Sequence, residues 1–292
     1  MDLTQRHIEN ITPGLQRPIG VFDSGYGGLT ILKSFRELMP EYDYIYLGDN
    51  ARSPYGNHSF DTIYEYTLQG VDYLFAQGCK LVILACNTAS ARALRTIQQV
   101  DLRQSQDPTR RVLGVIRPTV EHLSQITETG QVGLFATLAT VRSGSYQIEA
   151  EKYAPGVTLT QQAPQMWVSL VENGEVGDNA GVNYFVQKEV DELMKRAPEI
   201  DAIQLACTHY PLLRERIEAA VPPGVCVYGQ GAIVAESLRD YLRRHPEMER
   251  RLSKGGKTHF LTTERGEHFS ALAGRFLGYP IEDQQVNQIK LF

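Results

Sequence analysis

Apolar and polar positions fall into blocks that alternate along the chain as strand, turn, helix and strand again. Pro18-Ile19-Gly20-Val21-Phe22 is a short apolar run, closed by the glycine-rich turn Asp23-Ser24-Gly25-Tyr26-Gly27-Gly28. From Leu29 to Met39, apolar Leu29, Leu32, Phe35 and Met39 recur at the period of a helix with one buried face. Tyr44 to Leu47 reads as a second strand, followed by the polar loop Gly48 to Gly56. Ser59 is an N-cap for a helix carrying Ile63, Tyr66, Val71 and Leu74, and Gly78 stops it. Lys80 to Ala85 is a buried strand that runs into Cys86-Asn87-Thr88 and a helix from Ala89. Polar Asp101 to Arg111, with Pro108 inside it, reads as a surface loop before a strand at Val112 to Ile116. Strands that alternate with helices predict βαβ units and parallel sheets, the α/β class.

Arg117-Pro118 interrupts the pattern, and a domain boundary fits there. The second half then restarts the first. Gln131-Val132-Gly133-Leu134-Phe135-Ala136-Thr137 aligns with Pro18-Ile19-Gly20-Val21-Phe22-Asp23-Ser24, 113 residues apart (18 to 131). Leu205-Ala206-Cys207-Thr208-His209 repeats Leu84-Ala85-Cys86-Asn87-Thr88, 121 residues apart (86 to 207). Two matches in order at similar offsets predict an internal duplication: two pseudo-symmetric domains with parallel-sheet α/β cores and the active site in the cleft between them. Helices are expected at Thr140 to Tyr153, Gln165 to Asn173, Val182 to Arg196, Pro211 to Ala220, from Gly231, and at Glu267 to Leu277. Strands are expected at Val157 to Thr160, Val225 to Tyr228 and Thr258 to Thr262. The resulting division is a loose tail over 1–17, a first domain over 18–116 completed by 228–292, and a second over 117–227.

Composition narrows the class. The chain of 292 residues is 42% hydrophobic and 22% charged, a globular profile long enough for two domains. A net charge of −5 counts against a nucleic-acid binder. No apolar run approaches the roughly 18 residues of a membrane span, and Met1 to Gln16 lacks a signal-peptide core. Cys79, Cys86, Cys207 and Cys226 form neither a disulfide scaffold nor a CxxC pair, so no zinc site is expected. Reduced thiols imply the cytoplasm.

Cys79 and Cys226 fit the ordinary role of cysteine as a small buried apolar residue. Cys86 and Cys207 differ, because each sits where a strand ends and polar residues open what reads as a helix. In α/β sheets that end is where ligands bind. Free N–H groups at a helix start would lower a thiol's pKa from about 8.5 toward neutrality. Two such thiols suit either a nucleophile with a resolving partner or proton transfer at a carbon with one thiol on each face; the duplication favours the second. Asp23 and His209 stand next to the thiols as assisting groups, although alone each reads as a turn residue or a structural histidine. Glu172, near a helix end, is a weaker carboxylate whose plain reading is a solvated face. Ser24 and the glycine turn could hold a substrate carboxylate on backbone N–H groups. Asn87, Thr88 and Thr208 offer amide and hydroxyl groups, and Tyr55-Gly56 could cover the same pocket.

Phe22-Asp23-Ser24-Gly25-Tyr26-Gly27-Gly28, Ser53-Pro54-Tyr55-Gly56, Ala85-Cys86-Asn87-Thr88-Ala89 and Ala206-Cys207-Thr208-His209-Tyr210-Pro211 resemble the signature segments of the bacterial glutamate racemase family, in its order and spacing. Aspartate racemases share the two-cysteine design. The resemblance implies interconversion of L- and D-glutamate without a cofactor or metal, D-glutamate going to peptidoglycan synthesis, and commonly a homodimer. It implies that Cys86 takes the α-proton from D-glutamate and Cys207 from L-glutamate. Asp23, His209 and Glu172 match the family's assisting groups. Asp23-Ser24, Tyr55-Gly56, Asn87-Thr88 and Thr208-His209 match its substrate-contacting pairs. The chain departs from the family at Arg117, at Leu138-Ala139 and at Gly229-Gln230-Gly231. A non-catalytic binder of a small dicarboxylate and a thiol–disulfide enzyme are the alternatives of a different class.

Overall fold

The computed structural model describes residues 16–282 and 285–292. Most of the expected tail, residues 1–15, lies outside the described residues. In chain order the elements are β1 (Ile19–Asp23), α1 (Leu29–Leu38), β2 (Tyr44–Gly48), α2 (Phe60–Ala76), β3 (Leu81–Leu84), α3 (Asn87–Arg92) and β4 (Arg111–Gly114). Then come α4 (Ile116–Ile126), β5 (Gln131–Ala136), α5 (Leu138–Ser143), α6 (Ser145–Tyr153), β6 (Thr158–Gln162), α7 (Trp167–Glu172), α8 (Ala180–Arg196) and β7 (Ala202–Ala206). The last are α9 (Arg214–Ala220), β8 (Cys226–Tyr228), α10 (Gly231–Arg244), β9 (Thr258–Thr262), α11 (Gly266–Leu277) and β10 (Val286–Gln288).

The strands form two sheets, ordered β10-β9-β2-β1-β3-β4 and β6-β5-β7-β8, and all their pairings are parallel. The run β2-β1-β3-β4 has the same topology as β6-β5-β7-β8. Register repeats as well: Phe22 faces Leu84 in the first sheet, and Phe135 faces Leu205 in the second. The sequence repeat is therefore a structural one, and it leaves Cys86 and Cys207 at equivalent strand ends. β9 and β10, from the far end of the chain, extend the first sheet beyond β2. β1, β2, β3 and β7 are buried at every position, as strands covered on both faces by helices must be.

Local chemistry explains several element ends. Ser59 caps α2 by accepting the Thr62 N–H at 3.3 Å. Four expectations need correction. Arg117-Pro118 does not break the chain, because Pro118 sits in the first turn of α4, where no N–H is needed. Residues 101–111 are not all loop, since helical turns continue through Gln104. The helix expected from Thr140 to Tyr153 is two, split where Gly144 turns left-handed at φ 66°. Cys226 is exposed at the start of edge strand β8, whereas Cys79 is buried in the core as expected. β10, with its short polar sequence, carried no strand signal.

Candidate active site

Cys86 and Cys207 line one cleft together with Ser24, Tyr55, Gly56, Asn87, Thr88, Thr208 and His209. Both thiols are free and buried. The cleft is narrow, about 20 Å³, room for about one water. A larger hollow of about 380 Å³ lies elsewhere, walled by Lys33, Arg36, Tyr42, Tyr44, Thr258 and Tyr279. It holds no thiol or histidine and lies where β2 and β9 begin, away from the ligand-binding ends of the strands.

Around Cys86, the strand-to-helix junction forms as expected. The Cys86 side chain caps α3, its sulfur accepting the Ala89 N–H at 3.4 Å, and the Ser24 hydroxyl lies 3.5 Å from the same sulfur. Yet the expected fall in its pKa does not occur. Burial, with the Asp23 carboxylate behind it, pushes the Cys86 thiol up to about 12, against the hydrogen bonds from Ser24 and Ala89. Desolvation outweighs the helix start here.

Asp23 is fully buried and does not line the cleft. Its Oδ2 accepts the Gly25 N–H at 2.9 Å, so the glycine turn closes on its own aspartate. The expectation that this turn's N–H groups hold a substrate carboxylate is corrected at Gly25. Burial raises the Asp23 pKa, opposed by the charge of His209 and the N–H groups of Gly25 and Gly28.

Cys207 is followed by a turn and a short 3-10 helix over Tyr210–Leu213, not by an α-helix start, so the two thiols have different supports. Its sulfur lies 4.0 Å from His209 Nδ1. His209 Nε2 is 3.1 Å from Glu172 Oε1, giving a chain from sulfur to imidazole to carboxylate. Burial works against the charged imidazole, but contact with Cys207 and Glu172 overrides it and raises His209 to about 10. Glu172 thus belongs to the site through His209 and does not sit on a free solvated face. The ring of Phe276 stands edge-on to His209 at 5.4 Å. Phe135, Trp167 and Tyr210 form an aromatic cluster, Trp167 tilted against Phe135 and edge-on to Tyr210, with centroids 4.6 and 5.1 Å apart.

The two halves touch through polar contacts at the cleft. Thr208 Oγ1 approaches Asp23 Oδ1 at 3.5 Å, and Thr30 donates to the Thr208 carbonyl at 3.1 Å. Thr88 Oγ1 lies 2.9 Å from Thr137 Oγ1, and Tyr55 donates to Asp49 Oδ2 at 2.5 Å, which anchors the loop holding Tyr55-Gly56. The Asn87 amide is committed to Gln230 and Tyr146, so what it offers a ligand is the backbone N–H in the first turn of α3. Thr137 and Val168 also line the cleft and were not expected. The repeat held the signal for Thr137, which aligns with Ser24; Val168 is one apolar helix position among many.

A sequence model of the Asp/Glu/hydantoin racemase family matches residues 29–238. A glutamate racemase of Paracoccus denitrificans is 43% identical over 273 residues, covering 90% of this chain and 97% of that one. A glutamate racemase isoform of Bacillus anthracis superposes with a TM-score of 0.83 at 29% identity, covering 94% of this chain and 98% of that one. The Francisella tularensis glutamate racemase, solved in complex with D-glutamate, gives 0.81 at 30% identity, with the same coverage.

Proposed function

The chain belongs to the Asp/Glu/hydantoin racemase family, and on that footing we propose that it interconverts L- and D-glutamate by two-base proton transfer between Cys86 and Cys207. The observation that carries the mechanism is that two free thiols, at equivalent strand ends of a duplicated fold, line one cleft. A base on each side of a planar carbanion is what inversion requires. In this reading the Cys207 sulfur takes the α-proton of L-glutamate, and Cys86 returns a proton to the opposite face. The buried Cys86 keeps its proton in the substrate-free protein, which suits it to act as the donor in that direction. After turnover the protonation of the pair is reversed, and the cleft is set for D-glutamate.

His209, held by Glu172, places a positive charge beside Cys207, and Asp23 lies behind Cys86. Ser24, Tyr55, Gly56, Asn87, Thr88, Thr208 and His209 surround the substrate, while Asp23, buried outside the cleft lining, acts on it through Cys86. Fixed dipoles and charges in a cleft closed to water stabilise the carbanion. The proposal needs no cofactor. We keep a division into a first domain over 18–116 with 228–292 and a second over 117–227; the split of the strands into two sheets supports two domains, although these limits fall just inside α4 and β8. Action as a homodimer, in the cytoplasm and in supply of peptidoglycan precursors, rests on the family resemblance. Among the described residues no helix is long and apolar enough to cross a membrane.

The test is proton NMR of L-glutamate in deuterated water with the purified, reduced protein, with L-aspartate in parallel and a chiral assay. The α-proton signal of glutamate should vanish as D-glutamate appears. Exchange of aspartate alone would change the substrate and keep the chemistry. No exchange of either by folded protein would leave a dicarboxylate-binding module. Cys86→Ser and Cys207→Ser should each slow racemisation by at least about a hundredfold, the loss of one general base, with opposite directional defects in α-proton exchange. Parental activity in either variant would end the two-thiol mechanism.

A further inference from the structure

Gln230 sits where the chain leaves β8 and enters α10, which packs against α1 beside the first sheet. Its side chain is 2% exposed and every polar atom of its amide is engaged. Asn87 Nδ2 donates to Gln230 Oε1 at 2.6 Å. Gln230 Nε2 lies 2.8 Å from Tyr146 Oη and 2.8 Å from Thr119 Oγ1. Tyr146 in turn donates to Asn87 Oδ1 at 2.7 Å, and Thr119 donates to the Val115 carbonyl at 2.7 Å. Donors run round a closed ring from Asn87 to Gln230 to Tyr146 and back to Asn87, and Gln230 Nε2 also donates directly to Asn87 Oδ1 at 3.2 Å. Thr119 spends its proton on the Val115 carbonyl and so accepts from Gln230, which identifies the nitrogen end of the glutamine amide and, through the ring, that of Asn87.

The ring spans the molecule's two halves. Asn87 directly follows Cys86 and opens α3 behind β3 of the first sheet. Thr119 lies on α4 and Tyr146 on α6, which packs against α4 beside the second sheet. Gln230 is the side chain that binds all three. We propose that Gln230 is a positioning residue that clamps the Cys86 side of the cleft to the second half, and so sets the fraction of molecules closed on substrate. This rests on the racemase reading for what the closure serves, and on geometry alone for the clamp. It also gives a role to the Gly229-Gln230-Gly231 departure: a glutamine here has the reach and the two N–H donors to serve Tyr146 and Thr119 together. Buried networks of this kind hold one geometry when complete and cost stability when broken.

Gln230→Met keeps the volume and removes the ring. With fewer molecules closed, apparent affinity falls by the lost fraction. The KM for L- and D-glutamate should rise by about tenfold, the equivalent of about 1.4 kcal/mol, while kcat stays within about threefold because the chemical groups are untouched. Amide hydrogen exchange over residues 87–92 should quicken while β1 and β5 stay protected. Tyr146→Phe, which removes the donor to Asn87 and keeps the ring in place, should shift KM the same way by less. A folded Gln230→Met protein with parental KM, or with kcat lowered at parental KM, would overturn the proposal. So would unchanged exchange over residues 87–92. Should the parent not racemise glutamate, the racemase reading fails, and hydrogen exchange in Gln230→Met still decides whether the clamp exists.

Discussion

His209 shows how little a residue type says without its surroundings. It is 5% exposed, yet it holds a proton to about pH 10, because Cys207 lies on one nitrogen and Glu172 on the other. Its folded pKa exceeds its ordinary value of 6.5, so the folded state binds the proton more tightly than the unfolded chain. The stability this provides is therefore complete below about pH 6.5 and is lost as pH rises through about 10. Melting temperatures of the parent and of His209→Asn, followed from pH 6 to 10, should differ most at the acid end and converge toward the alkaline end. Parallel curves would mean that the histidine is not charged in the fold. The sequence marked both thiols and this histidine, because a strand ending in a polar turn is a local pattern. It did not mark the fate of the Cys86 proton, since burial of the sulfur and the approach of Asp23 depend on packing between segments sixty residues apart. Glu172 was legible from its surroundings only as a weak carboxylate candidate, and its assisting role only through resemblance, because its partner His209 comes from another element.

At the scale of elements, the start of α1 meets the turn after β7. Gly27 stands at that crossing: a carbon added there would come within 2.2 Å of Thr208 Oγ1 and 2.5 Å of His209 Nδ1. Gly27→Ala should cost about 1–3 kcal/mol of stability by overpacking, seen as a fall of several degrees in melting temperature. It should lower activity further than that, because the groups pushed aside belong to the cleft. Gly229→Ala, where an added carbon meets nothing within 4 Å, is the matching control and should change neither. A Gly27→Ala protein with parental melting and turnover would show that α1 and the Thr208-His209 turn are not in contact. The glycine turn was legible as a turn, and its pairing with His209 was not. The repeat was legible at the level of strands, whereas the shared register of Phe22 on Leu84 and Phe135 on Leu205 came only with the folded sheets. Divergence between the copies was not: an α-helix follows Cys86, while a 3-10 turn follows Cys207. Thr137, the counterpart of Ser24, was in the alignment and became a cleft residue only once the halves faced each other.

For the whole molecule, the narrowness of the cleft has a mechanical consequence. A space of about 20 Å³ between the thiols admits a water and not an amino acid, so the halves must part before glutamate enters. The mouth offers a place to stop that motion. Gly56 lies on the first half and Thr137 on the second, and a carbon built at Gly56 falls 3.4 Å from the Thr137 Cβ. That spacing lies close to the range for a disulfide, whose Cβ atoms sit about 3.5–4.5 Å apart. Gly56 has no positive φ, so a cysteine there brings no backbone strain. The double variant Gly56→Cys/Thr137→Cys should close on mild oxidation and lose most of its α-proton exchange, and dithiothreitol should restore it. Peptide mapping must show the 56–137 link, because Cys86 and Cys207 are thiols in the same cleft. If the mapped, oxidised protein exchanges glutamate as fast as its own reduced form, substrate enters without separation of the halves along this edge. Loss on oxidation with recovery on reduction would instead make the relative movement of the two sheets a step of every turnover, and its rate could then be set against that of proton transfer.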